Sequence, residues 1–586
     1  MTAAGRTWLV IAYLLLAAVD RAAAATEEYL KYRVEISAPR QLARLLHDEL
    51  DLVRWESHET MTAELLARLV AEARTDAANL LAAHGYFTPE IGSRIEGTGT
   101  ERVVHLDIEP GPATRVRAVN LRFAGPIAGG DAEDRATIAR IESDWKLAKD
   151  EVFTQGAWDG AKRAARDSVA RRRYLLARIT DSEARIDPAS QSAELSVTID
   201  SGPVIAFGEL EITGLEKRDP VLVRNLWTFA PGTTYDLELL ERYQRRLAAV
   251  EYFDSVLIDA DATRVAGDRV PLRVTLHEAP AKRLQLGASY STDTGLGGSV
   301  SYQNRGFLVP DWRLGLRFDL EQRIQTGEAT IALPERAGPW ADQFALRLRH
   351  SLIENLDTRE ASVGFRRTAI EERRQPFYGV TLAYSDQRAG SVLDEKVHAL
   401  YGYVGFTRRT TDDLLAPRSG TIAQVEAGIA PPGVSTRAFG RTTGRVAWYH
   451  PLRADRDLLL QAQGGVVFAG SSSGIPQQFL FRAGGTTSVR GYDLNSLGVV
   501  RDNVVLGGRV FATVTAEATQ WITEQLGVAV FVDAGNAADR VRDLRAAYGI
   551  GAGARLRTPL GPFRVDLAYG ELHQNWRLHF SIGLSF

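Results

Sequence analysis

The chain has 586 residues, of which 45% are hydrophobic and 24% are charged, with a formal net charge of −3 and no cysteine. The lack of cysteine excludes disulfides, cysteine-ligated zinc, iron–sulfur clusters and thiol catalysis. A near-neutral charge disfavours a nucleic-acid-binding protein, because such a protein needs a basic surface. The mean hydropathy of −0.16 disfavours a bundle of membrane-spanning helices. It is compatible with a membrane β-barrel, whose alternating strands have moderate average hydropathy.

The first residues have the layout of a secretory signal peptide. Arg6 supplies an early positive charge, residues 8–19 form an apolar run, and small residues follow up to Thr26. A run of about 12 apolar residues is too short to cross a bilayer, which needs about 20. The order of charge, apolar run and small residues is typical of an export signal. We therefore predict a signal peptide at residues 1–25, with a membrane anchor as the alternative.

Three segments between the signal peptide and the middle of the chain end in the same way. Each has a short alternating strand followed by a proline: Leu106–Pro112, Val197–Pro203 and Val274–Pro280. Repetition of this kind indicates a series of related domains. We place the three repeats at residues 28–113, 114–203 and 204–281. Each is long enough for a two-layer α/β core.

The repeats also share an order of elements. Apolar residues recur every three or four positions in the helical stretches, as at Leu66, Leu69 and Ala73, which is the pattern of an amphipathic helix. The predicted order is strand, helix, helix, strand, strand. This order resembles the polypeptide-transport-associated (POTRA) domain. Three small α/β domains without common ancestry are the alternative.

After residue 281 the helical pattern stops and apolar residues alternate with polar ones up to the last residue, as at Leu316, Phe318 and Leu320. A soluble β-sandwich is one interpretation. An outer-membrane barrel fits better, because a barrel has an apolar lipid face and a polar lumen. We predict that residues 282–586 form about 16 antiparallel strands, with ~19 residues for each strand and its connection. Intervening charged side chains such as Asp319 and Asp566 are expected to face water in the lumen.

Four short motifs resemble those of the outer-membrane insertase superfamily, the group that includes BamA, TamA and the two-partner secretion pores. The first motif consists of Val489, Arg490, Gly491 and Tyr492. Asp533 and Gly535 lie in a segment similar to the family's F-x-D-x-G strand motif. Glu517 resembles an acidic position on the preceding strand, and residues 290–295 resemble the family's first barrel strand. Three repeats before one barrel look most like the TamA branch.

The resemblance implies a role for each motif. In the family, the motif arginine lies at the tip of a long extracellular loop that folds back into the lumen. Arg490 would then contact Asp533 and Glu517 on the barrel wall, since a guanidinium group binds carboxylates through a planar pair of N–H donors. An ordinary surface arginine is the alternative. The barrel must close between its first and last strands, and the predicted seam residues are Leu284, Leu286, Tyr290, Ile582, Gly583 and Phe586.

The resemblance further implies an assembly or translocation factor in the outer membrane of a Gram-negative bacterium, with the repeats in the periplasm. Its expected partners are client outer-membrane proteins, the lipid bilayer and an inner-membrane-anchored, periplasm-spanning protein similar to TamB. No nucleic acid, cofactor, metal or catalytic residue is expected. Alternatives are a two-partner secretion pore and a barrel enzyme such as a phospholipase, although the scattered histidines form no recognisable catalytic set. Residues 549–553 alternate glycine with larger residues, and we interpret them as a strand.

Overall fold

The structure is a computed structural model. It describes residues 29–309, 311–336, 338, 340–371, 373–413, 416–558 and 561–585. The predicted signal peptide and the predicted seam residue Phe586 lie outside these ranges. Within them, no helix has both the length and the apolar character needed to span a bilayer.

The first repeat packs helices against a three-stranded sheet. Its elements are β1 (Lys31–Ser37), α1 (Arg40–Glu49), α2 (Asp51–Arg54), α3 (Ala63–Ala83), β2 (Glu90–Glu96) and β3 (Glu101–Glu109). The sheet order is β1-β3-β2, with β1 parallel to β3. Helix α3 begins where the Thr62 side chain accepts a hydrogen bond from the Leu65 N–H, which satisfies a free donor of the first turn. Leu66 and Ala77 of this helix are buried in one core with Leu106 of the sheet.

The next two repeats have the same order of elements. The second contains β4 (Arg115–Ala124), α4 (Ala132–Ser143), α5 (Gln155–Ala170), β5 (Arg178–Asp187) and β6 (Ser192–Asp200). The third contains β7 (Ala206–Thr213), α6 (Pro220–Asn225), α7 (Leu237–Ala249), β8 (Phe253–Asp259) and β9 (Arg269–Glu278). Their sheet orders are β4-β6-β5 and β7-β9-β8. The predicted order of strand, helix, helix, strand, strand is therefore confirmed, with one additional helical turn, α2, in the first repeat.

Internal contacts divide the chain into two compact units. The first contains the described residues up to Glu209 together with Pro231–Glu238 and Ala260–Pro271. The second contains Leu210–Ala230, Leu239–Asp259 and the chain from Leu272 onward. The division falls inside the third repeat, so that both of its helices lie wholly or largely in the second unit.

The C-terminal part is a closed barrel of 16 strands, which confirms the predicted fold class. Its first eight strands are β10 (Lys282–Ser291), β11 (Gly295–Asn304), β12 (Arg313–Glu321), β13 (Ile324–Ala332), β14 (Trp340–Ile353), β15 (Leu356–Ala369), β16 (Arg374–Ala389) and β17 (Leu393–Arg409). The next strands are β18 (Gly420–Ala430), β19 (Phe439–Arg453) and β20 (Arg456–Phe468). A short hairpin, β21 (Val499–Arg501) and β22 (Val504–Leu506), precedes the last five strands of the barrel. These are β23 (Val510–Trp521), β24 (Leu526–Ala538), β25 (Ala547–Thr558), β26 (Gly561–Gly570) and β27 (Asn575–Ser585).

Neighbouring barrel strands are antiparallel, and alternate residues point to opposite faces. Leu316, Phe318 and Leu320 share one face of β12, and Arg317 and Asp319 share the other. Large apolar side chains on the outer face are exposed to the surroundings, including Leu296, Phe318, Leu348, Val404, Val530 and Leu578. In a bilayer these side chains contact lipid, while the charged side chains line the interior.

Candidate functional site

A long connection between β20 and β23, residues 469–509, places its tip inside the barrel. Val489 and Tyr492 have no exposed surface, and Arg490 between them is 5% exposed. Val489 and Tyr492 pack with Ala483, Leu497 and Ala547 in a small apolar cluster. The Tyr492 hydroxyl donates to the carbonyl of Tyr548 at 2.9 Å. The motif is therefore packed inside the barrel and is not part of an exposed surface loop, so the surface-arginine alternative is wrong.

Arg490 is bound to Asp533 on the lumen face of β24. Its Nε donates to Asp533 Oδ2 at 2.7 Å, and its Nη2 donates to Oδ1 at 3.0 Å. The backbone N–H of Arg490 donates to the same Oδ2 at 3.0 Å. This geometry is the two-point contact that a planar guanidinium makes with a carboxylate. The Phe531 ring covers one face of the guanidinium plane, and its centre lies 3.3 Å from the guanidinium carbon.

Glu517 on β23 completes the predicted pair of acidic partners, because its Oε2 accepts from Arg490 Nη1 at 2.8 Å. Two residues outside the predicted set extend the cluster. Asp566 accepts from the same Nη1 at 3.0 Å. Arg555 donates to both oxygens of Glu517, at 2.8 and 2.7 Å, and also to Asp566.

The cluster therefore joins two arginines to three carboxylates on four neighbouring strands and the loop. We name Arg490, Glu517, Asp533, Arg555 and Asp566 the lumen cluster. All five are between 0 and 5% exposed, so they are shielded from solvent. The expectation that Asp566 faces water is wrong, because the loop tip covers it. Buried carboxylates of this kind are stable only when they are paired and hydrogen-bonded.

Glycines on the wall make room for the loop tip. A Cβ atom at Gly549 would lie 1.9 Å from the carbonyl oxygen of Arg490. A Cβ atom at Gly570 would lie 2.5 Å from the carbonyl oxygen of Gly491. Gly491 has a φ of +94°. A positive φ favours glycine because it has no Cβ. Gly535, the remaining predicted wall residue, packs against Thr513 on the neighbouring strand, where a Cβ would also collide.

The seam between the first and last strands is short. Among the described residues, β10 and β27 pair over five residues, from Gly287 opposite Ser585 to Ser291 opposite Ser581. In contrast, β10 and β11 pair over ten residues. Of the predicted seam residues, Tyr290 is opposite Ile582, and Gly583 is opposite Ser289.

Leu284 and Leu286 are not in the seam that the structure describes. They pair with Tyr302 and Val300 of β11. The physical reason is register: the described last strand ends at Ser585, opposite Gly287, so it does not reach the first part of β10. The predicted seam at these two leucines lies outside the pairing that the described residues form, and it stays a prediction.

Two further residues join the loop tip to the seam, and the sequence analysis did not predict a role for either. His579 on β27 is 2% exposed and accepts the Gly491 N–H at Nε2, at 2.8 Å. Asp293, in the turn after β10, accepts from the Thr486 N–H and hydroxyl. Alternation places His579 on the lumen face, but only the closed barrel brings it beside Asp293. In the described part of the chain, no group of three or more acidic or histidine side chains is arranged to hold a metal ion.

Comparisons with known proteins agree with this architecture. Residues 280–586 match the Omp85 superfamily domain. Over 467 residues the chain is 24% identical to the outer membrane protein assembly factor BamA of Neisseria meningitidis serogroup B, which covers 68% of this chain and 58% of that protein. A stretch of 151 residues is 34% identical to the chloroplastic outer envelope protein 80 of Arabidopsis thaliana, covering 25% of this chain and 20% of that protein. The chain thus spans less than two thirds of the length of these relatives.

The fold is also found in a solved structure. The crystal structure of BamA from Haemophilus ducreyi lacking POTRA domains 1–3 superposes with a TM-score of 0.59 at 13% identity, covering 80% of this chain and all of that one. POTRA-like repeats followed by a closed barrel define an outer-membrane β-barrel protein. The chain belongs to the Omp85 superfamily, whose domain matches more than half of its length. It is located in the outer membrane of a Gram-negative bacterium, with its repeats in the periplasm.

Proposed function

We propose that this protein assembles client outer-membrane β-barrel proteins, or autotransporter-like proteins, at the seam between β10 and β27. The observation that carries the proposal is the length of that seam in the described residues, five residue pairs against ten for β10 with β11. A short ladder costs less to open than a full one, since fewer backbone hydrogen bonds must break. It is the weakest place in the described wall at which a new strand could enter.

The first strand also offers an edge for pairing. Residues 282–285 pair with β11 and lie beyond the described end of β27. Unpaired N–H and C=O groups at a strand edge accept another strand by β-augmentation. In a bilayer this tendency is strong, because lipid provides no alternative hydrogen-bonding partner. A terminal strand of a client would therefore pair with β10 when the seam opens.

The free energy for assembly comes from the client itself. Each client strand that pairs satisfies its backbone groups, and each apolar side chain that reaches lipid leaves water. No catalytic step and no cofactor are part of this proposal. The lumen cluster has a structural role in it: the cluster holds the loop against the wall and leaves the seam as the mobile part of the barrel.

The repeats are proposed to deliver clients and to bind a periplasm-spanning protein that is anchored in the inner membrane and is similar to TamB. The proposal follows the resemblance to the TamA branch, and the described chain has three POTRA-like repeats before its barrel. Full-length protein purified in mild detergent should retain such a partner, and variants of the repeats should lose it. If a partner remains bound after removal of residues 29–203, the first two repeats are not its binding site.

The proposed function is tested by reconstitution. Vesicles that contain the full-length protein should accelerate the folding of an urea-solubilised client barrel, followed by its heat-modifiable migration in gels. Vesicles with an equal amount of an unrelated 16-stranded porin serve as the control. Equal folding rates in the two preparations would contradict the proposal. Appearance of a client inside the vesicle lumen, without insertion, would instead support a two-partner secretion pore.

A further inference from the structure

The loop tip contacts the first-strand side of the seam at one acidic residue. The backbone N–H of Thr486 donates to Asp293 Oδ2 at 2.9 Å, and its hydroxyl donates to the same oxygen at 2.7 Å. Asp293 is 7% exposed and lies in the turn between β10 and β11. Each of these hydrogen bonds is stronger than one between neutral groups, because the acceptor is an ionised carboxylate.

The chain around Thr486 is shaped for this contact. Gly485 has a φ of +97°, and a Cβ atom there would lie 2.9 Å from Asp293 Oδ2 and 3.2 Å from the Cα of Leu494. The preceding Gly484 also has a positive φ, +103°. Glycine is suited to both positions because it tolerates positive φ and close backbone approach. The double glycine therefore permits the loop to reach the turn after the first strand.

The same loop tip is fixed to the last-strand side by more contacts. The Gly491 N–H donates to His579 Nε2 at 2.8 Å, which leaves the ring proton on Nδ1, 3.8 Å from Asp293 Oδ1. Asp493 forms a two-point ion pair with Arg577, also on β27. The lumen cluster also binds the loop to the four strands β23, β24, β25 and β26. The loop is thus bound firmly to the strands that precede the seam and by two hydrogen bonds to the turn that follows it.

Lateral opening would separate these two sides. When β10 moves away from β27, Asp293 moves away from His579, and a loop fixed to β23–β27 cannot follow it. The contact between Thr486 and Asp293 must then break, as must the hydrogen bond from the Thr292 N–H to the Phe580 carbonyl across the seam. In the described residues the seam ladder is five residue pairs long, so two additional hydrogen bonds to a charged group are a substantial part of what holds the seam closed.

We propose that Thr486 and Asp293 form a latch that holds the seam closed from inside the barrel, with His579 and Arg577 as positioning residues on the fixed side. The inference rests on the proposed function, because it specifies what controls opening of the same seam. It assigns the loop a second role: the lumen cluster anchors the loop, and the latch lets the anchored loop restrain the first strand.

The test measures the seam without any client. The chain has no native cysteine, so cysteines at Tyr290 and Ile582, which are opposite each other, report seam closure by their cross-linking yield in the resting protein. A matched pair at Val425 and Gly444, opposite each other on β18 and β19, reports a ladder far along the wall. Heat-modifiable migration checks that each variant is folded.

Asp293→Ala removes both hydrogen bonds of the latch. Loss of hydrogen bonds to a charged group should raise the open population roughly tenfold or more. The Tyr290–Ile582 yield should fall, and the Val425–Gly444 yield should not change. Thr486→Val should lower the seam yield by less, because it keeps the backbone N–H. Thr486→Ser retains the hydroxyl, so its seam yield should equal that of the unsubstituted protein.

An unchanged seam yield in Asp293→Ala would overturn the latch. If that variant does not fold, equal yields in Thr486→Val and Thr486→Ser would overturn it instead. Client assembly is then measured on the same variants in vesicles. A seam that opens more readily without any effect on client folding keeps the latch and contradicts only the proposed function.

Discussion

Asp533 accepts three hydrogen bonds from Arg490, two from the guanidinium group and one from the backbone N–H. One carboxylate therefore fixes both the side chain and the main chain of the loop tip. Asp533 is completely buried, so neither partner can be solvated if the other is lost. Loss of either partner would leave a buried charge without its two-point contact, which is costly in a site closed to solvent.

Arg490→Ala should be strongly destabilising. It leaves three carboxylates facing one remaining arginine, Arg555, in a site closed to solvent. Loss of one partner of a buried ion pair costs about 3–5 kcal/mol, and we expect a loss of that size in the free energy of unfolding. Arg490→Lys should recover only part of it, because an ammonium group cannot reproduce the two-point contact. Urea unfolding in detergent, followed by tryptophan fluorescence, measures both.

A double-mutant cycle separates this pair from general damage to the loop. Asp533→Ala should resemble Arg490→Ala, and the double variant should be clearly less destabilised than the sum, because both changes break one interaction. Arg564→Ala is the matched control, since Arg564 is an exposed arginine of β26 in the same barrel. Strict additivity, or a neutral Arg490→Ala, would show that the pair does not hold the loop.

Gly549→Ala should displace the loop tip without disturbing the β-ladder. The added Cβ would lie 1.9 Å from the Arg490 carbonyl oxygen, which is far inside van der Waals contact. Gly402→Ala is the control, because a Cβ there meets no atom within 4 Å. Protease cleavage within residues 469–509 of the folded, unboiled protein should increase for Gly549→Ala alone. Similar cleavage of both variants would mean that the fit between wall and loop is not the constraint.

Glu278 at the end of β9 should make the loop before α6 sensitive to acid. Its Oε1 accepts from the N–H groups of Glu216, Lys217 and Arg218 at 2.9, 2.9 and 2.8 Å. Burial opposes ionisation, but these hydrogen bonds and the charge of Arg218 outweigh it and hold the pKa of this carboxyl below its usual value. The stabilisation is therefore present above the ordinary glutamate pKa and is lost as the pH falls through the lowered one.

Hydrogen exchange measures this dependence directly. Protection factors of the three amides in the full-length protein should be constant near neutral pH and should fall below pH ~4. Glu278→Gln removes the charge, so its amides should be less protected at neutral pH and should show no further acid transition. A transition of equal size in the substituted protein would assign it to another group.

The fold was predictable from the sequence because apolar residues recur with a helical period in the repeats and with a period of two in the barrel. Spacings of three and four around Leu66 and Leu69 identified a helix, and alternation around Phe318 identified strands. The same alternation could have placed Asp566 and Arg555 on the lumen face beside Asp533. Their burial could not be predicted, because it depends on the loop covering them, and no local pattern encodes that.

The contacts across the seam were beyond any one-dimensional pattern. Asp293 and His579 lie at opposite ends of the barrel sequence, and closure of all 16 strands is needed to bring them together. The exact register is equally inaccessible: alternation placed Leu284 and Tyr290 on the same strand face, but only pairing shows that β27 reaches Tyr290 and, in its described residues, not Leu284. Strand register depends on the whole closed ladder and not on local sequence.

A reversible tether across the seam tests most directly whether clients enter there. Cysteines at Tyr290 and Ile582 are joined by a short thiol cross-linker in the folded protein, and client folding is then measured in vesicles before and after reduction. The account predicts that the tether stops client folding and that reduction restores it, whereas the same tether between Val425 and Gly444 has no effect. Client folding at the unreduced, tethered seam at the rate of the free protein would contradict lateral entry.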